Sequence, residues 1–275
     1  MSANAHDTPE HEIGRDNTPN PTDAPPRSVF DLRIADLGPA APLRWLRAGW
    51  ADFVACPRIG LFYGLCFFLM GHALLAVFRF APAYVLALSA GFLLMGPFLC
   101  LGLYDASRAL QRGQRPSLRA SLAAWRPTRG TMAIFAGVLL ILEMLWGRAS
   151  LVVFAVTFNT MPNTEHLLAQ LFSLDNIEFL ITYTLVGGVF AGLIFVTSVV
   201  SIPMIMDRQT DAISAGLTSI RASLNNPGVM LWWGALITGL IGLSMLPFFV
   251  GLFVAGPVVG HATWHAYREV VNDPA

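Results

Sequence analysis

Long apolar runs alternate with short polar stretches along most of this chain. The first run, residues 59–78, contains no Asp, Glu, Lys or Arg and has the length that a helix needs to cross a hydrocarbon core of about 30 Å. Length and apolar composition predict six transmembrane spans, at residues 59–78, 82–104, 131–158, 179–206, 228–246 and 248–267. The predicted fold class is therefore all-α, a polytopic membrane protein with six transmembrane helices.

A recurring hexapeptide groups the predicted helices into three units. Ser117–Leu122 and Ser219–Leu224 differ at one position, and each precedes a long apolar run. Self-similarity of this kind is typical of one supersecondary unit that is used several times. We therefore predict three helical hairpins, each preceded by a cytoplasmic amphipathic segment.

The segment that leads into the first hairpin has helical periodicity. Between residues 42 and 54, apolar side chains recur three or four positions apart, at Leu43, Leu46, Trp50 and Phe53. This spacing places them on one face of a helix. We expect that helix to lie along the membrane surface with this face packed under the bundle, the alternative being a partner-binding or lipid-sensing face.

The start of the chain has a different composition. Residues 1–27 combine five prolines with Asp, Glu, Asn, Thr and His, and they have almost no apolar side chains to bury. We predict a disordered cytoplasmic tail there, followed by a six-helix transmembrane domain over residues 28–275. Because the tail lacks the apolar stretch of a secretory signal, we expect it to remain in the mature protein.

Overall composition supports a membrane protein. Hydrophobic residues make up 55% of the chain and charged residues 12%, which excludes an ordinary soluble domain. The formal net charge is zero, so no basic surface for nucleic acid is indicated. The expected partner is the lipid bilayer, and the second candidate partner is another membrane protein.

Arginines predict which side of the membrane each loop occupies. Residues 105–129 contain six arginines and one acid, a bias typical of cytoplasmic loops. Placing this segment inside the cell puts both termini in the cytoplasm. The alternative reading of the same arginines is a patch that binds anionic lipid or phosphate.

Glu143 lies inside the third predicted span, where an ionisable side chain is costly and points to a functional site. It lies 14 residues after Arg129, and His72 lies 14 residues after Arg58. Both side chains should therefore sit roughly 21 Å from the cytoplasmic boundary. Two hypotheses stay open, a hydrogen-bonded pair or proton relay and a purely structural fastening of helices. Arg148, further along the same span, is expected near the outer boundary.

Two histidines and two aspartates form a second set of candidate site residues. His261 and His265 lie one helical turn apart, so both imidazoles can face one side and ligate a metal or a haem. Asp105, Asp211 and His265 each follow a span proline by eight residues. A pseudo-threefold bundle would gather these three into a ring for a divalent cation at its cytoplasmic mouth. The alternative is that they are helix-end residues in contact with water.

Prolines and glycines predict how the spans pack. Each span proline, Pro97, Pro203 and Pro257, removes a hydrogen bond from the carbonyl four residues earlier, and three kinks at equal depth predict open space in the bundle. Glycines spaced four apart let helices approach closely. The pairs with this spacing are residues 60 and 64, 188 and 192, and 256 and 260.

Motifs for catalysis and cofactor binding are missing from the sequence. We find no phosphate loop, nucleophile elbow, zinc-protease motif, dinucleotide fingerprint or calcium loop. The three cysteines, Cys56, Cys66 and Cys100, lie in or beside apolar runs and are expected to act as small packing residues. We therefore assign no catalytic residue, expect no cofactor, and favour a protein that is not an enzyme.

Four motifs give the chain a family resemblance: Trp45–Asp52, Gly96–Tyr104, Asn226–Met230 and Gly260–Arg268. Together they resemble the DUF2189 family of predicted bacterial integral membrane proteins, over approximately residues 40 to 270. The resemblance implies a multi-span protein of the bacterial inner membrane. It implies no established activity and supplies no catalytic residues.

Three functional hypotheses follow from these observations. The leading one is a non-enzymatic accessory or organising protein that binds other membrane components. The second is a transporter of a small solute or ion that uses Glu143, suggested by the repeat and the kinked helices. The third is a haem or metal redox protein that uses His72, His261 or His265.

Overall fold

The computed structural model describes residues 32–80, 85–157 and 176–271. Within these ranges the chain forms helices joined by short connections and contains no β-strand, which confirms the all-α prediction. The helices in these ranges are α1 (Ala41–Ala55), α2 (Pro57–Phe80), α3 (Val85–Gln111), α4 (Leu118–Ala123), α5 (Arg129–Thr157), α6 (Ile177–Ser198), α7 (Ser201–Arg208), α8 (Ala212–Asn225), α9 (Pro227–Met245) and α10 (Leu252–Val270). The predicted tail, residues 1–27, and most of the predicted outer loop after residue 158 lie outside the described residues.

A proline marks the entry to each long helix that follows a short one. Pro57 begins α2 and Pro227 begins α9, because a proline in the first turn of a helix sacrifices no hydrogen bond. Pro127 lies in a single 3-10 turn, Arg126–Thr128, between α4 and α5. The short helices α1, α4 and α8 therefore each run almost directly into a long apolar helix.

Four segments of the described residues are long and apolar enough to cross a membrane: Pro57–Val77, Leu118–Thr157, Ile177–Arg208 and Pro227–Met245. They cover most or all of the predicted spans 59–78, 131–158, 179–206 and 228–246. The predicted span 82–104 lies partly outside the described residues and stays a prediction, and the predicted sixth span, in α10, is not among the four. In α10 the physical reason is its polar second half, which includes His261, His265 and Arg268.

The predicted sixth span begins in the wrong place. Residues 248–251 belong to a turn, and α10 starts only at Leu252. Phe248 and Phe249 have left-handed φ angles of 50° and 63°, which reverse the chain after α9. Gly71 on α2 accommodates this turn, because a Cβ there would lie 2.5 Å from the ring of Phe249.

Helix α10 lies at the centre of the fold and packs against α1, α2, α3 and α9. Glycines bring two of these neighbours close to its backbone. A Cβ at Gly49 on α1 would lie 2.6 Å from both the Ala262 nitrogen and the Val258 carbonyl oxygen. A Cβ at Gly64 on α2 would overlap the carbonyl oxygen of Phe253. Any side chain at either glycine would push the helices apart.

The buried face of α1 differs from the predicted one. Trp45, Gly49 and Phe53 are buried, and the Trp45 ring meets Trp233 of α9 edge to face at 5.5 Å. Leu43 and Trp50, which were predicted to share the packed face, are 55% and 52% exposed. The face of α1 that is buried is the one that includes Gly49, because α10 approaches most closely there. The apolar spacing of α1 alone does not show which helix packs against it.

The three span prolines do not act alike. Pro97 and Pro257 lie inside the continuous helices α3 and α10. Before Pro203, by contrast, the predicted span 179–206 is broken into α6 and α7, with Val199 and Val200 between them. Ser201 at the start of α7 donates to the Ala215 carbonyl of α8 at 3.0 Å, which ties the segment after the break to α8.

The glycine pairs also divide into two classes. A Cβ at Gly256 would lie 2.6 Å from the Phe67 ring, and one at Gly260 would lie 2.5 Å from the Leu103 side chain. At Gly188 and Gly192, in contrast, no atom lies within 4 Å of the Cβ position. Among the described residues, the prediction of close packing is therefore right for 256 and 260 and wrong for 188 and 192, which lie on the exposed side of α6.

The segment before α1 is held by one buried amide. Asn226, which separates α8 from α9, accepts the Leu37 N–H at 2.9 Å and donates to the Ala35 carbonyl at 2.9 Å. The Ala35 N–H in turn reaches the Val270 carbonyl at the end of α10. Asn226 thus ties together three distant parts of the chain.

Candidate functional site

The second half of α10 carries a hydrogen-bonded network that joins three helices. His265 Nε2 lies 2.8 Å from Asp52 Oδ2 on α1, and its Nδ1 lies 3.4 Å from Gln111 Nε2 on α3. The Trp264 indole donates to Gln111 Oε1 at 3.0 Å. We call Asp52, Gln111, Trp264 and His265 the His265 network.

The Trp264 indole fixes which atoms donate and which accept in the rest of the His265 network. An indole N–H can only donate, so the Gln111 amide must turn its oxygen toward Trp264 and its NH₂ toward His265. His265 Nδ1 then accepts, which leaves the proton on Nε2 to be donated to Asp52. Both ring nitrogens of His265 are therefore engaged by the protein.

His261 makes a separate contact one turn earlier on α10. Its Nδ1 lies 2.7 Å from the hydroxyl oxygen of Ser107 on α3, and the residue is completely buried. Its Nε2 has no hydrogen-bond partner among the described residues. The two histidines do face the same neighbouring helix, as their spacing predicts, but they meet Ser107 and Gln111 there.

The predicted ring of Asp105, Asp211 and His265 does not form. Asp105 pairs with Arg108 on its own helix at 2.6 Å. Asp211 caps α8 by accepting the N–H groups of Ile213 and Ser214 at 3.0 and 2.9 Å. Within the described ranges no three His, Cys, Asp or Glu side chains are grouped as a metal site requires. The repeat places these residues at similar helix ends, and each end is satisfied locally.

Electrostatics at Asp211 agree with this capping role. Hydrogen bonds from Ser214 lower the pKa of the Asp211 carboxyl below its ordinary value, and the backbone N–H of Ile213 acts in the same direction. An N-terminal carboxylate also suits the positive end of the helix dipole. Asp211 is therefore a structural cap.

Glu143, His72 and Arg148 are not brought together. Glu143 is buried on the face of α5 that also includes Phe135, Leu139 and Ser150. His72 Nδ1 lies 3.2 Å from the Phe68 carbonyl oxygen, and its ring packs 6.0 Å from Phe249. Arg148 is exposed. In the described part of the chain no hydrogen bond joins His72 to Glu143.

A second polar cluster lies at the end of α10 and was missed by sequence analysis. Tyr267 donates its hydroxyl to Asp207 of α7 at 2.9 Å, and Arg208 Nε donates to the Tyr267 oxygen at 3.1 Å. Arg268 also reaches Asp207 at 3.2 Å. The sequence does contain a pattern that could have predicted this cluster. Asp207 and Arg208 directly follow one predicted span, and Tyr267 and Arg268 lie at the end of another.

A half-open cavity of about 430 Å³ lies between α2, α3, α6, α7, α9 and α10. We call it the central cavity. Gly96 and Pro97 line it, as do Gly256 and Ile202, which are the neighbours of Pro257 and Pro203. The predicted open space at the level of the three prolines is therefore present. The wall is completed by apolar side chains, among them Phe67, Met70, Phe195, Ile237, Ile241 and Leu252.

Polar groups on the cavity wall are mostly used by the protein itself. The Ser198 hydroxyl donates to the Ile194 carbonyl at 2.6 Å, and the Thr263 hydroxyl donates to the Val259 carbonyl at 2.8 Å. Tyr104, the remaining hydroxyl on the wall, lies with its ring against Trp264 at 6.5 Å. A volume of this size falls in the range of small-molecule sites, and its wall suits an apolar molecule.

Comparison with known proteins supports the membrane assignment. No curated protein and no solved structure matches the chain. Of the four motifs that carry the family resemblance, Gly96–Tyr104 falls within the segment that a family model matches. Residues 85–207 match the model of DUF2189, described as a predicted integral membrane protein, and the resemblance to that family is thereby confirmed over this part of the chain.

Proposed function

We propose that the chain crosses the bacterial inner membrane six times, as three helical hairpins with both termini in the cytoplasm. Contacts between α3 and α10 support this arrangement. Ser107 meets His261, and four residues further along both helices Gln111 meets His265. Contacts that advance together in this way mean that the two helices run parallel, as the returning helices of two hairpins should.

Contacts of α2 support the same arrangement. Gly64 and Phe68 of α2 both contact Phe253 of α10. Further along α2, His72 contacts Phe249, which lies in the turn before α10. The contacts move in opposite directions along the two segments, so α2 and α10 are antiparallel. The ends of α7 and α10 meet at Asp207 and Tyr267, so three returning helices end on the side that carries the arginine-rich segment.

We further propose that the protein is a non-enzymatic accessory or organising protein that binds an apolar component of the membrane. One observation carries this proposal, the central cavity of about 430 Å³ whose wall is almost entirely apolar. A neutral hydrocarbon chain or ring system would fill this space and make apolar contacts with its wall. An ion or a polar solute would find few unoccupied hydrogen-bonding groups there.

The same wall disfavours the two alternative functions. Glu143 does not line the central cavity, so this space gives a transported ion no route to that carboxyl group. For ligation of a metal or haem, His265 would have to give up Asp52 or Gln111. His261 is completely buried against Ser107, which blocks the approach of a large cofactor.

The experiment is to fill the central cavity and measure what co-purifies with the protein. Gly96 lines the cavity, and a Cβ there would meet no described atom within 4 Å, so we expect Gly96→Leu to occupy part of the cavity. Gly188→Leu is the matched control, because Gly188 is equally open but lies on the outer side of α6. Neutral lipids extracted from each purified protein are quantified by mass spectrometry.

We expect the wild type and Gly188→Leu to retain an apolar lipid at close to one molecule per protein, and Gly96→Leu to lose most of it. Because a side chain before Pro97 also strains the helix, Ile241→Trp serves as a second filling variant from α9. Equal lipid content in the wild type and in both filling variants would contradict the proposal. Circular dichroism and gel filtration identify any variant that has failed to fold.

A further inference from the structure

A second apolar space lies on the outside of the bundle, between α3 and α5. It has a volume of about 500 Å³ and is closed at one end by α4 and by Tyr63 of α2. We call it the α3–α5 groove. Its apolar wall is formed by Met95, Phe98, Leu99, Leu101, Met132, Ala133 and Ala136.

The groove is polar at one end only. Arg129 and Trp125 lie at the end next to α4, and Ala136 lies further along α5, about 10 Å away at 1.5 Å per residue. Along α3 the wall runs in the opposite direction, from Gly102 beside Ser121 to Met95. An occupant of the groove must therefore be an amphiphile, with its polar end at Arg129 and its apolar end toward the membrane interior.

Positive charge at the polar end of the groove favours an occupant with a negative charge. Arg126 and Arg129 are exposed, and in the described part of the chain no carboxylate pairs with either. The nearby hydroxyls are used within the protein, since Ser121 donates to the Gly102 carbonyl at 2.8 Å and lies 2.9 Å from the Tyr63 hydroxyl. The unneutralised guanidinium of Arg129 is therefore the group that a ligand can reach.

We propose that the α3–α5 groove is a binding site for an anionic phospholipid of the cytoplasmic leaflet. Arg129 binds the phosphate or the anionic headgroup, the half-exposed Trp125 indole lies at the level of the headgroups, and one acyl chain lies between α3 and α5. This site is separate from the central cavity and takes a different class of ligand. It also gives the arginine-rich segment a binding role in addition to setting orientation.

The test measures the binding of phosphatidylglycerol and phosphatidylcholine to the purified full chain by native mass spectrometry. An arginine near a membrane surface favours an anionic lipid by about 1 kcal/mol, so the wild type should prefer phosphatidylglycerol by about fivefold or more. Arg129→Gln should remove most of this preference. Arg119→Gln removes the same charge from an exposed position of α4 that does not line the groove, and it should keep the preference.

A second pair of variants tests the acyl-chain part of the site. Ala133→Trp fills the groove, whereas Ile134→Trp places the same ring on the neighbouring exposed position, outside the lining. We expect Ala133→Trp to weaken phosphatidylglycerol binding at least fivefold and Ile134→Trp to leave it unchanged.

Each alternative result overturns the proposal. Equal affinity for the two lipids, or equal loss in Arg129→Gln and Arg119→Gln, would mean that the groove selects no headgroup. Normal binding in Ala133→Trp would mean that the headgroup alone is held, without an acyl chain in the groove. Because none of these variants touches the central cavity, the neutral-lipid experiment stays independent of this outcome.

Discussion

Ser219 on α8 donates its hydroxyl hydrogen to the backbone carbonyl of Val196 on α6 at 2.6 Å. The same oxygen accepts the N–H of Val200 at 3.2 Å. In a continuous helix the Val200 N–H would bond directly to the Val196 carbonyl. The serine hydroxyl therefore replaces one helical hydrogen bond at the break before Pro203.

The other copy of the hexapeptide forms a related contact. Ser121 on α4 donates to the Gly102 carbonyl of α3 at 2.8 Å, again from a short helix to the preceding returning helix. The copies use different serines, the fifth residue in the first copy and the first residue in the second. Both copies thus supply a serine-to-carbonyl contact to the preceding unit, each from a different position of the hexapeptide.

Removing the bridging hydroxyl should destabilise the α6–α7 break. Ser219→Ala leaves the Val200 N–H and the Val196 carbonyl without a partner in a buried site, and we expect a loss of about 1–3 kcal/mol. Ser223→Ala is the control, because that hydroxyl donates only to the Ser219 carbonyl within α8. The free energy of unfolding of both variants is measured in mixed micelles with an increasing share of denaturing detergent. Equal losses would show that the bridge has no special role.

The contact between Asp52 and His265 predicts an order of stability. Asp52→Asn keeps an oxygen that can accept the Nε2–H of His265, so its melting temperature should fall only slightly. Asp52→Ala leaves that N–H unpaired in a mostly buried site and should cost about 1–3 kcal/mol. Thermal unfolding of both variants in detergent checks the order. If Asp52→Asn loses as much as Asp52→Ala, the pair depends on charge and the assigned neutral tautomer is wrong.

Glu143 gives a prediction that separates structure from ion coupling. Glu143→Gln keeps the volume of a buried side chain and removes its ionisable group, so we expect thermal stability to stay the same or increase. Neutral-lipid content should not change, because Glu143 does not line the central cavity. Glu178→Gln, at an exposed position, is the control. A larger loss of stability in Glu143→Gln would indicate a hydrogen bond that only the carboxyl group can make.

Cys56 should react slowly with thiol reagents at neutral pH. Burial raises the pKa of its thiol to about 11 from its usual value near 9, and the neighbouring Asp52 carboxylate acts in the same direction. Since only the thiolate reacts, labelling in a Cys66→Ser, Cys100→Ser background should rise about tenfold per pH unit up to pH 10. In the unfolded chain, the labelling rate should stop rising with pH near the ordinary thiol pKa of about 9. A plateau below pH 9 in the folded protein would contradict this prediction.

Sequence patterns predicted the features that depend on one helix at a time. The lack of charge in residues 59–78 is enough to predict a span, because lipid excludes charged groups wherever the helix lies. The one-turn spacing of His261 and His265 likewise predicted that both side chains face the same neighbouring helix. Both inferences require only the geometry of a single helix.

Contacts between helices were harder to predict. Asp52 and His265 are separated by 213 positions, and nothing in either local pattern shows that α1 and α10 are neighbours. The repeat suggested equivalent units, yet α10 is largely buried whereas Phe179 alone is buried in the described part of α6. For the same reason, the spacing of Gly188 and Gly192 predicted a close contact that no helix among the described residues makes.

Helix α10, around which α1, α2, α3 and α9 pack, is synthesised after all four of them. In the proposed three-hairpin arrangement, the earlier helices are therefore available to enter the bilayer before their common partner leaves the ribosome. Until then Gly49 and Gly64 have no α10 backbone to pack against, and the surface that they form on α1 and α2 stays uncovered. Packing of the bundle around α10 is consequently completed only after residues 252–270 have been synthesised.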